Sequence, residues 1–270
     1  MRHRYAEAKE AFVDEINVEE YIELEGSKRA YAQLEHSLEK STKMVLLYGR
    51  PGTGKTLLLH RLYRQYHHQK DLHFFETPTG NRREFYSRLF EVFTSKPLPP
   101  KTQVNFETFV AFGKKIKGQR QITILVDEAQ MYPKELVEEI RVLSDTGSIK
   151  FVISLHKTED EDLVAKQHFQ SRIWESVELH NATLEELKAY VHKRLLFKGL
   201  GEIANGFRPR HFSKIHRWTG GNFRECNKLL YTLFELYEHY DRHAPQKIDP
   251  KGISTKLLEM AAIKTGMIHV

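Results

Sequence analysis

Cysteine is almost absent from this sequence. Cys226 stands alone in 270 residues, so no disulfide forms within the chain, and a reducing compartment is expected. Long hydrophobic runs are missing too. No apolar stretch exceeds seven residues, far short of the roughly 20 that a membrane-spanning helix needs. The N-terminal stretch "MRHRYAEAKEAFVDE" has no apolar h-region, so no secretory signal is expected and the cytoplasm is the default location. There is no internal repeat, no low-complexity tract, no paired cysteine and no Ser-His-Asp arrangement. The 15 histidines do not form a metal set. His239 and His243 stand four apart, but no third ligand is near them in sequence.

Charge of one sign is concentrated in one part of the chain. The net charge is +6, and residues 181–270 carry all of it, with 15 Lys/Arg against 9 Asp/Glu. The first 180 residues hold 27 of each and are neutral. A basic C-terminal third fits nucleic acid or an acidic partner, and more simply a set of solvated helix faces, since charge alone does not name a partner.

What is present is an alternation of strand and helix patterns. "KMVLLY" (43–48), "DLHFFETP" (71–78), "QITILVDE" (121–128), "IKFVISL" (149–155) and "WESVEL" (174–179) read as strands. Between them run helical patterns at 55–68, 81–93, 105–117 and 133–143, the last with Pro133 in its first turn. "SKRAYAQLEHSLEKS" sets Ala30, Leu34 and Leu38 on one face of a helical lead-in. This alternation predicts an α/β three-layer sandwich on a parallel five-stranded sheet, with the fourth strand beside the first. After residue 180 the strands stop, and helices are expected near 183–197, 209–217, 222–240 and 250–263. The expected domains are 1–180, a nucleotide-binding sheet domain with its lead-in, and 181–270, a small helical lid.

The stretch "GRPGTGKT" (49–56) lies between a strand and a helix and has the spacing G-x-x-x-x-G-K-[ST]. Gly49, Gly52 and Gly54 let backbone wrap a phosphate without Cβ clashes. The N–H groups from Gly52 to Thr56 point at the anion near a helix N-terminus. Lys55 supplies charge to the β- and γ-phosphates, and Thr56 offers a hydroxyl to Mg²⁺. Pro51, Thr53 and Leu57 complete the nucleotide-binding window.

The acids of "ILVDEAQ" (124–130) end a buried strand, where open α/β sheets bind ligands. Asp127 is the expected Mg²⁺ residue, and Glu128 the group that deprotonates the attacking water. A glutamate here, rather than the glutamine of GTPase switches, points to an ATPase. His156, after the fourth strand, is a candidate for contact with the γ-phosphate or the water. Arg172, in "FQSRIW", stands where an arginine reaches a neighbouring subunit's nucleotide. Arg224, in "TGGNFRE", opens a lid helix and is expected to close over the phosphates of its own subunit.

Together "GRPGTGKT", "ILVDEAQ", "FQSRI" and "GGNFRECNKL" resemble the AAA+ ATPases, over roughly residues 10 to 260. More narrowly they are similar to the ExeA-like group of secretion and pilus-assembly ATPases, whose relatives include transposition regulators of the TnsC and TniB kind. The resemblance implies ATP and Mg²⁺ as cofactors, Lys55 and Thr56 as the phosphate-loop pair, and Asp127 and Glu128 as metal and base positions. It also implies Arg172 as a finger acting in trans on self-association, and Arg224 as second sensor. It places an adenine pocket near "EEYIELEGS" (19–27), with Tyr21 and Ile22 as its apolar candidates. Where that group usually has "GQPEL" this chain has "LHKTE", so the aligned glutamine becomes His156. Secretion members often continue into a membrane helix; this chain stops at Val270 and is expected to reach the inner membrane, if at all, through a protein partner.

Three functions are compatible with these residues. The first is an ATP-driven assembly factor for a secretion, pilus or DNA-uptake apparatus. The second is a DNA-binding ATPase that regulates transposition or loads other proteins onto duplex DNA. The third is a nucleotide-dependent switch that scarcely hydrolyses.

Overall fold

The structure is a computed structural model and describes residues 4–100, 102–156, 173–249 and 252–269. Its contacts divide the chain into two compact units. A sheet unit comprises Arg29–Arg50 and Lys55–Leu179; a helical unit comprises the residues up to Lys28, Pro51–Gly54, and those from His180 onward.

After a lead-in helix α1 (Arg4–Glu10) and α2 (Glu25–Glu39), the sheet unit is built on β1 (Met44–Gly49), β2 (Leu72–Phe75), β3 (Ile122–Val126), β4 (Ile149–His156) and β5 (Ile173–Leu179). The strands lie in the order β2-β3-β4-β1-β5, and all four pairings are parallel. This is the expected parallel five-stranded sheet, with β4 beside β1. Among the central strands β3 is buried throughout and β4 to its last residue, which is why both read as nearly continuous apolar runs. Edge strand β5 instead leaves Trp174 exposed and buries Val177 and Leu179.

Flanking the sheet are α3 (Lys55–Tyr66), α4 (Arg82–Thr94), α5 (Phe106–Ile116) and α6 (Lys134–Ser144). Asn81 and Asn105 cap α4 and α5 by accepting from the N–H of Glu84 and Thr108. Phe85, Leu89, Phe109 and Ile140 from these helices pack with Ile124 and Phe151 of the sheet in one apolar core.

Two strands end earlier than their sequences suggest. β2 stops at Phe75, which pairs with Val126, the last residue of β3. β3 stops there because Glu128 turns into the left-handed region, and a strand without a ladder partner has nowhere to place its backbone hydrogen bonds.

One buried charge organises the far side of β4. Lys150 is 0% exposed, and its ammonium donates to the carbonyl oxygens of Ser37 (2.7 Å) and Lys40. These carbonyls belong to the C-terminal end of α2, where helical carbonyls lack intrahelical partners. Burial pulls the Lys150 pKa down to about 8.

The helical unit contains α7 (Leu184–Phe197), α8 (Gly201–Asn205), α9 (Pro209–Thr219), α10 (Phe223–His243) and α11 (Thr255–Lys264). Thr183 and Glu186 form a reciprocal capping box at the start of α7. α8 has no counterpart in the sequence expectation; five residues are too few for a period of 3.6 to show. α11 begins at Thr255, capped by Ser254, rather than near residue 250.

The lead-in packs on α10. Tyr5 and Tyr237 lie 4.8 Å apart, Phe12 and Phe234 stack at 5.8 Å, and Lys9 pairs with Glu238 at 2.7 Å. Cys226 is fully buried in this core, and burial pushes its thiol pKa up. No helix among the described residues is long and apolar enough to cross a membrane.

Candidate nucleotide site

The loop begins where β1 ends. Gly49 is in register with His156 of β4, which puts the carboxyl ends of two adjacent parallel strands side by side. Within the sheet unit, Lys55 is only 4% exposed. Its Nζ donates to the carbonyl oxygens of Gly49 (2.9 Å) and Arg50 (3.0 Å), folding the side chain back across the loop. Thr56, the next residue of α3, donates its hydroxyl to Asp127 Oδ2 at 2.6 Å.

Asp127 is 2% exposed and held from both directions. Its own N–H donates to the Phe75 carbonyl at 3.1 Å, and its Oδ1 accepts from the N–H of Glu128 at 2.9 Å. Glu128 sits at φ 48°, ψ 44°, a left-handed conformation that costs an L-residue roughly 1–2 kcal/mol. The turn takes the chain out of the strand while leaving the Glu128 side chain 43% exposed. Glu128 Oε1 lies 3.5 Å from His156 Nε2, and the His156 N–H donates to Gln130 Oε1 at 3.3 Å. The sheet unit therefore brings Lys55, Thr56, Asp127, Glu128 and His156 to the carboxyl ends of β1, β3 and β4.

The tip of the loop, Pro51–Gly54, groups with the helical unit. Gly52 and Gly54 have φ of 79° and 95°, which Gly adopts without strain. At Gly52 there is also no room for a side chain: a Cβ would lie 2.4 Å from Asn222 Oδ1 and 2.8 Å from Arg224 Cβ. Arg224 thus stands next to the loop tip, as the second residue of α10, and its Nε donates to Asp14 Oδ2 at 3.1 Å. The two glycines before it are structural. Gly220 ends α9 at φ 59°, and Gly221, at φ 75°, would press a Cβ to 2.1 Å from the Ala182 carbonyl oxygen.

Tyr21 and Ile22 precede α2 in the helical unit; the Tyr21 hydroxyl donates to Ser27 Oγ at 2.9 Å, and Ile22 is buried. Arg172 lies outside the described residues.

Two groups at these places went unnoticed in the sequence. Gln130 was legible only as part of "DEAQ". Asn222, in the "GGNFR" stretch, carries one local signal, since an asparagine just before a helix is a capping residue.

The residues fit a nucleotide with its Mg²⁺. Gly52 and Gly54 hold the loop tip in the positive-φ conformation that glycine adopts without strain, and in the sheet unit a buried carboxylate faces a threonine hydroxyl, an oxygen pair suited to a hard cation. No group of three or more His, Cys, Asp or Glu among the described residues forms a protein-only metal site.

Comparison with known proteins agrees with this geometry. The AAA domain family matches residues 38–162. General secretion pathway protein A of Aeromonas hydrophila is 24% identical over 249 residues, covering 87% of this chain and 44% of that protein. The chain therefore spans less than half the length of this relative. The Aeropyrum pernix ORC2 protein, solved as ADPNP-ADP complexes, is 17% identical and superposes with a TM-score of 0.57 over 96% of this chain and 72% of that one. Cdc6p from Pyrobaculum aerophilum, 15% identical, gives a TM-score of 0.64 over 95% of this chain and 70% of its own. At such identities the two structures speak for the fold alone. The family match, the secretion relative and the shared fold agree with one another: residues 38–162 match the AAA domain family, the chain is similar to General secretion pathway protein A, and its fold is like those of ORC2 and Cdc6p.

Proposed function

We propose that the protein binds ATP with Mg²⁺ and hydrolyses its β–γ phosphoanhydride. The turnover drives assembly or remodelling of a secretion, pilus or DNA-uptake apparatus through a protein partner. The observation that carries the hydrolytic part is the Thr56–Asp127 hydrogen bond of 2.6 Å behind the loop, with Glu128 directly following.

In this reading the N–H groups of Gly52 to Thr56 hold the phosphates, within a binding window that runs from Gly49 through Pro51 and Thr53 to Leu57. Lys55 leaves the loop carbonyls to pair with the β- and γ-phosphates. Thr56 and Asp127 hold the cation, Thr56 by its hydroxyl. Bound Mg²⁺ supplies neutralisation of the charge that develops on the transferred phosphoryl group. Glu128 takes a proton from the attacking water, and His156, 3.5 Å from it, orients Glu128 or the water. Arg224 closes on the phosphates, Arg172 serves a neighbouring copy, and Tyr21 and Ile22 flank the adenine. Residues 1–180 carry the nucleotide and 181–270 act as the lid, with α1 joined to the lid helices by its packing. A location in the cytoplasm, peripheral to the inner membrane through the partner, belongs to the same proposal; its support is the similarity to General secretion pathway protein A.

One observation favours a second reading, binding to duplex DNA. On α9, Arg210, Lys214 and Arg217 follow the i, i+4, i+7 spacing of a single stripe, and Arg208 and Lys256 are exposed beside its start. The α11 residue Thr255 meets His211 at 3.1 Å, which brings Lys256 to this end of α9. Such a stripe suits a phosphate backbone.

Phosphate release with and without long duplex DNA at low salt separates the two. Stimulation that falls steeply with added salt favours the DNA reading. A basal rate that ignores DNA but disappears in Glu128→Gln favours the assembly reading.

A further inference from the structure

Asn222 uses both ends of its side-chain amide. Its Oδ1 accepts from the N–H groups of Arg224 (3.1 Å) and Glu225 (3.3 Å), capping α10. With the oxygen facing two donors, the nitrogen must face the other way, and Nδ2 donates to the Pro51 carbonyl at 2.6 Å. Nδ2 also approaches Asn181 Oδ1 at 3.4 Å, while Asn181 Nδ2 donates to the Gly220 carbonyl at 2.9 Å. The contact is tight: the missing Cβ of Gly52 is what lets Asn222 and Arg224 lie against the loop.

We propose that Asn222 is a positioning residue for the phosphate loop. One amide fixes the Pro51 carbonyl, and with it the path of the loop tip, to the helix turn that carries Arg224. This deepens the nucleotide reading above and rests on it. The peptide whose carbonyl Asn222 holds also contains the N–H of Gly52, the first donor of the phosphate cradle. Holding one end of a peptide plane fixes the direction of the other. Losing the bond lets that plane rotate, so the cradle must be ordered again each time a nucleotide binds. Capping alone makes no such demand, because serine, aspartate and asparagine are nearly equal caps.

The test follows from that equality. Asn222→Ser keeps an acceptor for the α10 N–H groups but has no donor long enough to reach Pro51. Affinity for a fluorescent ADP analogue should fall about tenfold, the cost of fixing one freed residue of backbone again on binding. The melting temperature without nucleotide should stay where it is. Unchanged affinity with unchanged melting overturns the proposal; so does lowered melting with unchanged affinity, which would make Asn222 a cap alone.

If the serine variant melts below the parent, Asn222→Asp gives the reading. It keeps side-chain length and cap but turns an acceptor toward the Pro51 carbonyl, and high salt screens its added charge. Lost affinity there supports the proposal, and parental affinity overturns it. Lys55→Ala serves as the control for the underlying reading: if it binds the analogue like the parent, the nucleotide assignment itself fails, whatever Asn222 does.

Discussion

Glu128 holds its left-handed backbone at the position proposed for the catalytic base, and this separates stability from function in a measurable way. Asparagine tolerates that conformation far better than other side chains. Replacing Glu128 by Asn should therefore recover most of the roughly 1–2 kcal/mol of strain. Little is lost in exchange. The Glu128 N–H to Asp127 bond is a main-chain donation and survives any substitution except proline. The contact with His156 is partly solvated, at 3.5 Å with Glu128 43% exposed, and such pairs contribute about 0–1 kcal/mol. The net gain is about 1 kcal/mol, or roughly 2–4 °C in the melting temperature of a domain this size. Glu128→Gln has no such backbone preference and should melt with the parent. Both variants should lose turnover, because neither accepts a proton. Calorimetry on the three proteins, paired with phosphate release, decides the matter. If Asn melts no higher than Gln, the strain is not real; if either hydrolyses at the parental rate, Glu128 is not the base.

Two further outcomes follow from groups already described. Gly221→Ala combines a φ of 75° with a Cβ 2.1 Å from the Ala182 carbonyl oxygen, so it should destabilise by more than the ~1–2 kcal/mol of an alanine forced left-handed in open space; a denaturation midpoint equal to the parent's would refute the packing. Lys150 has a folded pKa of about 8 against an ordinary value of 10.5. Between those two pH values the unfolded chain binds more protons than the folded one, so this group's contribution rises with pH across the window. The burial penalty is complete below about pH 8 and relieved above about 10.5, an amplitude of about 3 kcal/mol. Urea titrations of the parent and Lys150→Met from pH 7.5 to 10.5 should show the difference moving in the parent's favour, and a flat difference would refute it.

Where the sequence was legible, it was so because one residue type has one physical use. The strand, glycine loop and helix around Lys55 follow from apolar periodicity and from the conformational freedom of Gly52 and Gly54. Asp127 and Glu128 followed from acids at the end of an apolar run. What stayed hidden depends on tertiary partners. No local signal says that Glu128 turns left-handed, that Lys150 reaches the end of α2, or that the amide of Asn222 meets Pro51, 171 residues away. The lead-in was legible through Ala30, Leu34 and Leu38 of α2, but the packing of α1 on α10 was not, because amphipathic faces do not name their partners.

The most direct test of the central claim is nucleotide binding and Mg²⁺-dependent phosphate release by the parent beside Lys55→Ala. The account predicts that the parent binds ATP and releases phosphate, and that the alanine variant loses both by about a hundredfold or more. A parent that binds no ATP, or a Lys55→Ala protein that matches it in both, would contradict the account.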